Sequence, residues 1–278
     1  MLSETAPAKI NLFLHVLGRR EDGYHLLESL VGFADLGDQL TLTPGQGLSL
    51  AIEGEFAEGL RDEADNLVLR AARAFAAHVP HTRLGHFRLT KNLPLASGIG
   101  GGSSDAAAAL RLLARANGLT VDDPRIMACA RVLGADVPVC LDPVPRLMRG
   151  IGHELGPALR ATMRPALLVN PGAMVPTGPV FAALGLEPGE RRRDTGGERN
   201  DLQPAAVALA PVIGMVLEKL AAQPGVEVSR MSGSGATCFA LFDAVATRDA
   251  AARALASDAC AMKTPRWWIA PCRINLPA

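Results

Sequence analysis

The sequence has no net charge: 28 lysines and arginines balance 28 aspartates and glutamates. That balance argues against a partner held by a broad basic surface, such as a nucleic acid or an anionic membrane. A small anionic ligand needs only a few cations and stays possible. Lysine is scarce, with only Lys9, Lys91, Lys219 and Lys263, and Tyr24 is the single tyrosine. The five cysteines (Cys129, Cys140, Cys238, Cys260 and Cys272) are odd in number, widely spaced and form no C-x-x-C. A disulfide framework or a cysteine zinc site is therefore not expected, and reduced, mostly buried thiols in a cytoplasmic protein are. The first residues lack a basic stretch followed by an apolar run, so no signal peptide is expected. The longest apolar stretch, Ala205 to Leu217, contains Pro211 and Gly214. It is too short to span a bilayer and reads as a core helix.

What is present is a large apolar fraction, 49% of 278 residues, enough for one large domain or two ordinary ones. "KINLFLHV" at residues 9 to 16 alternates strictly, which predicts a strand with one buried face: Ile10, Leu12, Leu14 and Val16 inside, Lys9, Asn11, Phe13 and His15 on the other side. Further strands are expected at 36 to 44 and 84 to 90. A helix is expected from Asp65 or Asn66, another from the glycine-rich stretch to Asn117-Gly118, and a third from Asp123-Pro124 to Gly134. Prolines and glycines loosen the pattern over residues 145 to 165 and suggest a domain junction. "ALLVN" reads as a buried strand, and "EPGERRRDTGGERN" as a charged, solvated loop. A helix is expected over 202 to 222, then two strands about the glycine turn of "SRMSGSGATCFALFD", a helix near 247 to 258 and a last strand near 266 to 270. Strands and helices mix without the regular alternation of a doubly wound sheet, so an α+β protein of two domains fits.

The stretch most informative about chemistry is "PLASGIGGGSSDAAAAL" at residues 94 to 110. Four glycines, Gly98, Gly100, Gly101 and Gly102, precede a helix, with Ser103, Ser104 and Asp105 expected to cap its first turn. It is not a Walker loop, because no G-x-x-x-x-G-K-[ST] occurs, nor a dinucleotide fingerprint, because a third glycine is missing. Bare backbone leading into a helix N-terminus directs N–H groups at one spot, a geometry that binds phosphate.

This stretch resembles the phosphate-binding motif of the GHMP kinases, named for galactokinase, homoserine kinase, mevalonate kinase and phosphomevalonate kinase. "PAKINLFLHVLGRREDGYHLLESL" at 7 to 30 is similar to their N-terminal motif and "RMSGSGATCFALF" at 230 to 242 to their C-terminal glycine motif. The three lie in family order. The resemblance implies an α+β, two-domain fold. Residues 1–155 would form an ATP-binding, catalytic domain like ribosomal protein S5 domain 2. Residues 156–278 would form a ferredoxin-like domain that completes the substrate cleft. It also implies transfer of the ATP γ-phosphoryl group to an alcohol. The G-R-R-x-D-G-Y-H extension and "LGADVPVC" point within the family to one acceptor, a cytidine-diphosphate sugar alcohol of the mevalonate-independent isoprenoid pathway, phosphorylated at its 2-hydroxyl.

Site residues follow from the same resemblance. Asp136 is the expected base and Lys9 its catalytic partner, which stabilises the developing alkoxide. Asn66, Lys91, Pro94, Leu95, Ala96, Ser97, Gly98, Ile99, Gly100, Gly101, Gly102, Ser103 and Ser104 are the expected ATP contacts. Tyr24 would stack on the cytosine and His25 bond its polar edge, with Asn11, Thr177 and Phe181 completing the substrate contacts. ATP implies Mg²⁺, but no carboxylate cluster announces a metal held by the protein, so phosphates and water would carry it. The expected partners are small molecules, with neither nucleic acid nor membrane, and the chain would be a monomer or homodimer.

Overall fold

The computed structural model describes all residues except 61–64, 194–195 and 262–266. Along the chain the elements are β1 (Leu2–Arg19), β2 (His25–Gly45), β3 (Leu48–Glu53), α1 (Leu67–His78), β4 (Leu84–Thr90), α2 (Gly101–Ala116), α3 (Pro124–Leu133) and α4 (Val137–Cys140). Then come β5 (Arg146–Gly150), β6 (Glu154–Leu155), β7 (Ala161–Asn170), α5 (Thr177–Ala182), α6 (Gln203–Leu209) and α7 (Val212–Ala221). The last are β8 (Val226–Met231), β9 (Cys238–Phe242), α8 (Val245–Ala261) and β10 (Trp268–Pro277). The chain divides into two compact units, neither continuous in sequence. The first comprises Met1–Lys9, Leu36–Leu95 and Gly100–Pro143, and the second Ile10–Asp35, Ala96–Ile99 and Val144–Ala278. The sequence reading drew its division after residue 155.

In the first unit β4 lies between two partners. It runs antiparallel to Gln39–Gly45 of β2 and parallel to β3. Asn66 caps α1 by accepting from the Val68 N–H at 2.9 Å, and Val68, Ala71, Ala72 and Phe75 form its buried stripe at helical spacing. The alanines of α2 let it pack closely against α1, α3 and α4, so every residue from Ser104 to Ala114 is buried. The helix ends as expected at Asn117-Gly118, where Gly118 takes a positive φ and the Leu119 N–H returns to the Ala114 carbonyl.

In the second unit β7 pairs antiparallel with β10 and β9, and β9 with β8. Residues Leu27–Val31 of β2 pair with β5. A core of Leu14, Val16, Leu167, Val169, Val216, Phe242 and Leu255, among others, lies under α7 and α8. The expected helix over 202 to 222 is two helices, because Pro211 lacks an N–H and pushes Ala210 out of the helical region (φ −139°, ψ 85°). The loosened stretch at 145 to 165 contains β5, β6 and the start of β7. The expected last strand begins two residues later than proposed, at Trp268. Residue 266 and part of the charged loop, 194–195, lie outside the described residues.

The first strand departs most from its reading. It runs from Leu2, so Lys9 lies in mid-strand, and both faces are covered: Lys9, Asn11 and His15 are as buried as Ile10 and Leu12. Alternation records which residues are polar; it does not record that polar residues with partners of their own can be covered as well.

Candidate active site

Lys9 and Asp136 are brought together in the first unit across 127 residues of sequence, with Lys9 Nζ donating to Asp136 Oδ2 at 2.7 Å. The path to this pair is local. Helix α3 stops at Gly134, whose extended backbone (φ 158°, ψ 161°) leaves the helical region, and Asp136 then stands immediately before α4, where Pro138 fixes the first turn. Lys9 is the last residue of β1 in that unit. Its side chain is 5% exposed and that of Asp136 37%, so a largely covered ammonium meets a carboxylate still open to solvent.

The N-terminus of α2 lies beside Lys9. Gly100 is its N-cap in the left-handed region (φ 63°), where a Cβ would stand 3.2 Å from Lys9 Cβ. The expected capping by Ser103, Ser104 and Asp105 is corrected: no side chain caps this helix. Ser104 Oγ donates to the Pro7 carbonyl at 2.7 Å and Asp105 turns to Lys91. The first-turn N–H groups are thus left for an external acceptor, and the helix dipole favours an anion there.

Lys91 lies beneath this turn. A Cβ on Gly101 would come within 3.2 Å of Lys91 Nζ. The ammonium donates to Asp38 Oδ2 and, at 2.7 Å, to Asp105 Oδ2, with all three side chains buried. Asp38 Oδ1 also accepts from the N–H groups of Asn92 and Leu93, at 2.6 and 2.8 Å, and so fixes the entry to the glycine-rich turn. Burial works against the Lys91 charge, yet Asp105 and Asp38 hold its pKa above the ordinary value. Burial, reinforced by Asp38 and opposed by Lys91, pushes the Asp105 carboxyl up to about 7. Asp38 and Asp105 escaped the sequence reading because no spacing announces them. The isolated Asp38 sits on a strand, and Asp105 stands where a helix cap is expected.

The other expected nucleotide residues are placed as follows. Asn66 is the buried cap of α1. Pro94 is buried and Leu95 half-buried in the first unit. Ala96, Ser97, Gly98 and Ile99 belong to the second unit, where the Ser97 carbonyl accepts from the Thr237 N–H at 3.1 Å. Gly98 (φ 75°) admits no side chain, because a Cβ would stand 2.5 Å from the Ser232 carbonyl oxygen. Ser232, unassigned in the sequence, links three segments of that unit. Its Oγ donates to the Gly98 carbonyl at 3.0 Å and accepts from the Asn11 N–H at 3.1 Å.

The second unit gathers the residues expected to hold the acceptor. Asn11 Nδ2 donates to Ser29 Oγ at 2.8 Å, while its buried Oδ1 has no partner among the described residues. His25 and Phe181 stack at a tilt, ring centroids 4.7 Å apart. Partial burial and then Arg19 hold the His25 pKa below the ordinary imidazole value. Tyr24 is 60% exposed. Thr177 begins α5 and its hydroxyl meets Ser234 Oγ at 2.9 Å. Tyr24 and Phe181, expected from different domains, belong to one unit. Among the described residues no group of three histidine, cysteine, aspartate or glutamate side chains is placed to hold a metal, and no helix is long and apolar enough to cross a membrane.

Comparison with known proteins identifies the family. The family model for the GHMP kinases N terminal domain matches residues 66–142 and that for the GHMP kinases C terminal matches 189–261, on either side of residue 155. A relative from Methylorubrum extorquens, named 4-diphosphocytidyl-2-C-methyl-D-erythritol kinase, is 53% identical over 99% of both chains. One of the same name from Methylobacterium radiotolerans is 55% identical over 98% of both. A crystal structure of 4-(cytidine 5'-diphospho)-2C-methyl-D-erythritol kinase superposes with a TM-score of 0.77 at 32% identity, covering 99% of this chain and 100% of that one. A mevalonate kinase shares the fold, with a TM-score of 0.68 at 10% identity. On these matches and this architecture, the chain belongs to the GHMP kinase family.

Proposed function

We propose that this kinase uses ATP to phosphorylate the 2-hydroxyl of 4-diphosphocytidyl-2-C-methyl-D-erythritol. The substrate is suggested by the names of relatives at 53 and 55% identity over nearly the whole chain. The observation that carries the reading is the Lys9–Asp136 pair beside the uncapped N-terminus of α2. A helix N-terminus takes phosphate, and a carboxylate with an adjacent ammonium suits a hydroxyl that must lose its proton as phosphoryl transfer proceeds.

In this reading the nucleotide phosphates occupy the turn from Gly98 to Ser103, with Lys91 acting from beneath through its charge. Asp136 accepts the hydroxyl proton and Lys9 stabilises the developing alkoxide. An aspartate is a weak base for an alcohol, so proton transfer is late, and positioning with charge stabilisation carries most of the acceleration. Mg²⁺, when bound with ATP, would neutralise phosphate charge, and in this reading phosphates and water hold it. Tyr24, His25 and Phe181 hold the cytosine, and Asn11 Oδ1, without a partner among the described residues, accepts from the substrate. A coupled ADP-release assay with the cytidine substrate, mevalonate and homoserine tests the reading. Turnover confined to the cytidine compound is expected, and turnover of a simple alcohol instead would overturn it.

A further inference from the structure

Two carboxylates and one ammonium lie buried directly under the first turn of α2, and Asp105 Oδ1 is buried with no partner among the described residues. With both carboxylates ionised, the cluster has one negative charge in excess, and its burial leaves that charge poorly screened. We propose that Asp38, Lys91 and Asp105 form a proton-uptake site beneath the phosphate-binding turn, so that Asp105 takes a proton from solvent as ATP binds. The proposal rests on the reading that ATP phosphates occupy that turn.

The geometry gives the coupling its sign. Phosphate bound above Gly101 adds negative charge over a cluster that is already negative, and a proton on Asp105 removes the excess. The Asp105 carboxyl, raised to about 7, is poised to change state near neutrality. Among the described residues no other charge is aimed at it. Asp38 comes from β2, and Lys91 follows β4 directly. On α2, Arg111 and Arg115 are tied to Glu4. From α1, Arg70 and Arg73 pair with Asp65; from α3, Arg125 pairs with Asp123 and Arg131 is exposed. Beside α4, Asp136 pairs with Lys9. Protonation at Asp105 keeps the Lys91–Asp38 link that fixes Asn92 and Leu93, so the site also positions the glycine-rich turn.

The test is calorimetric titration of ATP in buffers of different ionisation heat, from about pH 6 to about pH 9, with wild type and Asp105→Asn. Wild type should take up roughly half a proton more per ATP than the variant near neutrality, and its ATP affinity should fall about tenfold relative to the variant across the range, as for a pKa rise of one unit. Equal proton uptake by the two proteins overturns the proposal. Should Asp105→Asn fail to fold, the infrared spectrum of wild type at about pH 8 decides the matter: ATP should add a protonated-carboxyl band, and its absence overturns the proposal. Gly100→Val separates the two levels of the argument. Weakened ATP binding in this variant, with no proton difference at Asp105, overturns the proton site alone. Unchanged ATP affinity in Gly100→Val puts the phosphates elsewhere and overturns both.

Discussion

Asp136 is paired with the Lys9 ammonium. An amide at this position would keep an oxygen for the Lys9 ammonium but lose both charge and basicity. Asp136→Asn should therefore fold, with a melting temperature close to wild type, while kcat falls roughly a thousandfold and KM for ATP changes little. A kcat near the wild-type value would remove Asp136 from the chemistry. The acceptor residues give a different signature. Tyr24→Ala and Phe181→Ala should each weaken binding of the cytidine substrate by about 1 kcal/mol and leave ATP affinity unchanged, as titration of each ligand will show. Because His25 has a lowered pKa, its ring stays neutral as pH falls through 6.5. Acceptor binding should hold through that value and weaken only below it; loss centred at or above 6.5 would show that another group governs binding.

At the scale of elements, Ser232 joins the glycine turn between β8 and β9 to β1 and to Gly98. Ser232→Ala leaves the half-buried Gly98 carbonyl and the buried Asn11 N–H without this partner, which costs about 1–3 kcal/mol. Denaturant unfolding should show that loss, and ATP affinity should fall with it because Gly98 is no longer held. Unaltered stability would mean that water replaces the hydroxyl. This linkage was not legible in the sequence, although the motif containing it was. The same limit explains β1. Its alternation predicted the strand and its apolar face, but covering of the opposite face depends on partners such as Ser29 and Asp136, distant in sequence. The helix α2 was legible from its alanines and its Asn-Gly stop. Its start in the glycine-rich stretch was legible too, but not the lack of a side-chain cap, because Ser104 and Asp105 have stronger partners than the helix's own N–H groups. The same geometry changes the reading of Gly101. A side chain there would point at Lys91, so it would disturb the buried cluster before it touched a phosphate.

For the molecule as a whole, the buried cluster links stability to pH. Folded Asp105 binds its proton more tightly than the unfolded chain, whose value is 3.8. Its contribution is therefore complete below about pH 4 and is lost as pH rises to about 7. Across that window the melting temperature of wild type should fall relative to Asp105→Asn; a constant difference would show that Asp105 does not titrate there. Composition and motif order were enough to read the two-domain α+β class and the family. The interleaving of the two units was not legible, because β1 and β2 each contribute residues to both and no composition change marks the crossing. The most direct measurement of the central claim is ADP release by wild type and Asp136→Asn with ATP and 4-diphosphocytidyl-2-C-methyl-D-erythritol, mevalonate and homoserine offered in parallel. The account predicts turnover of the cytidine compound alone, nearly abolished in Asp136→Asn. Equal turnover by the two proteins, or preference for either simple alcohol, would contradict it.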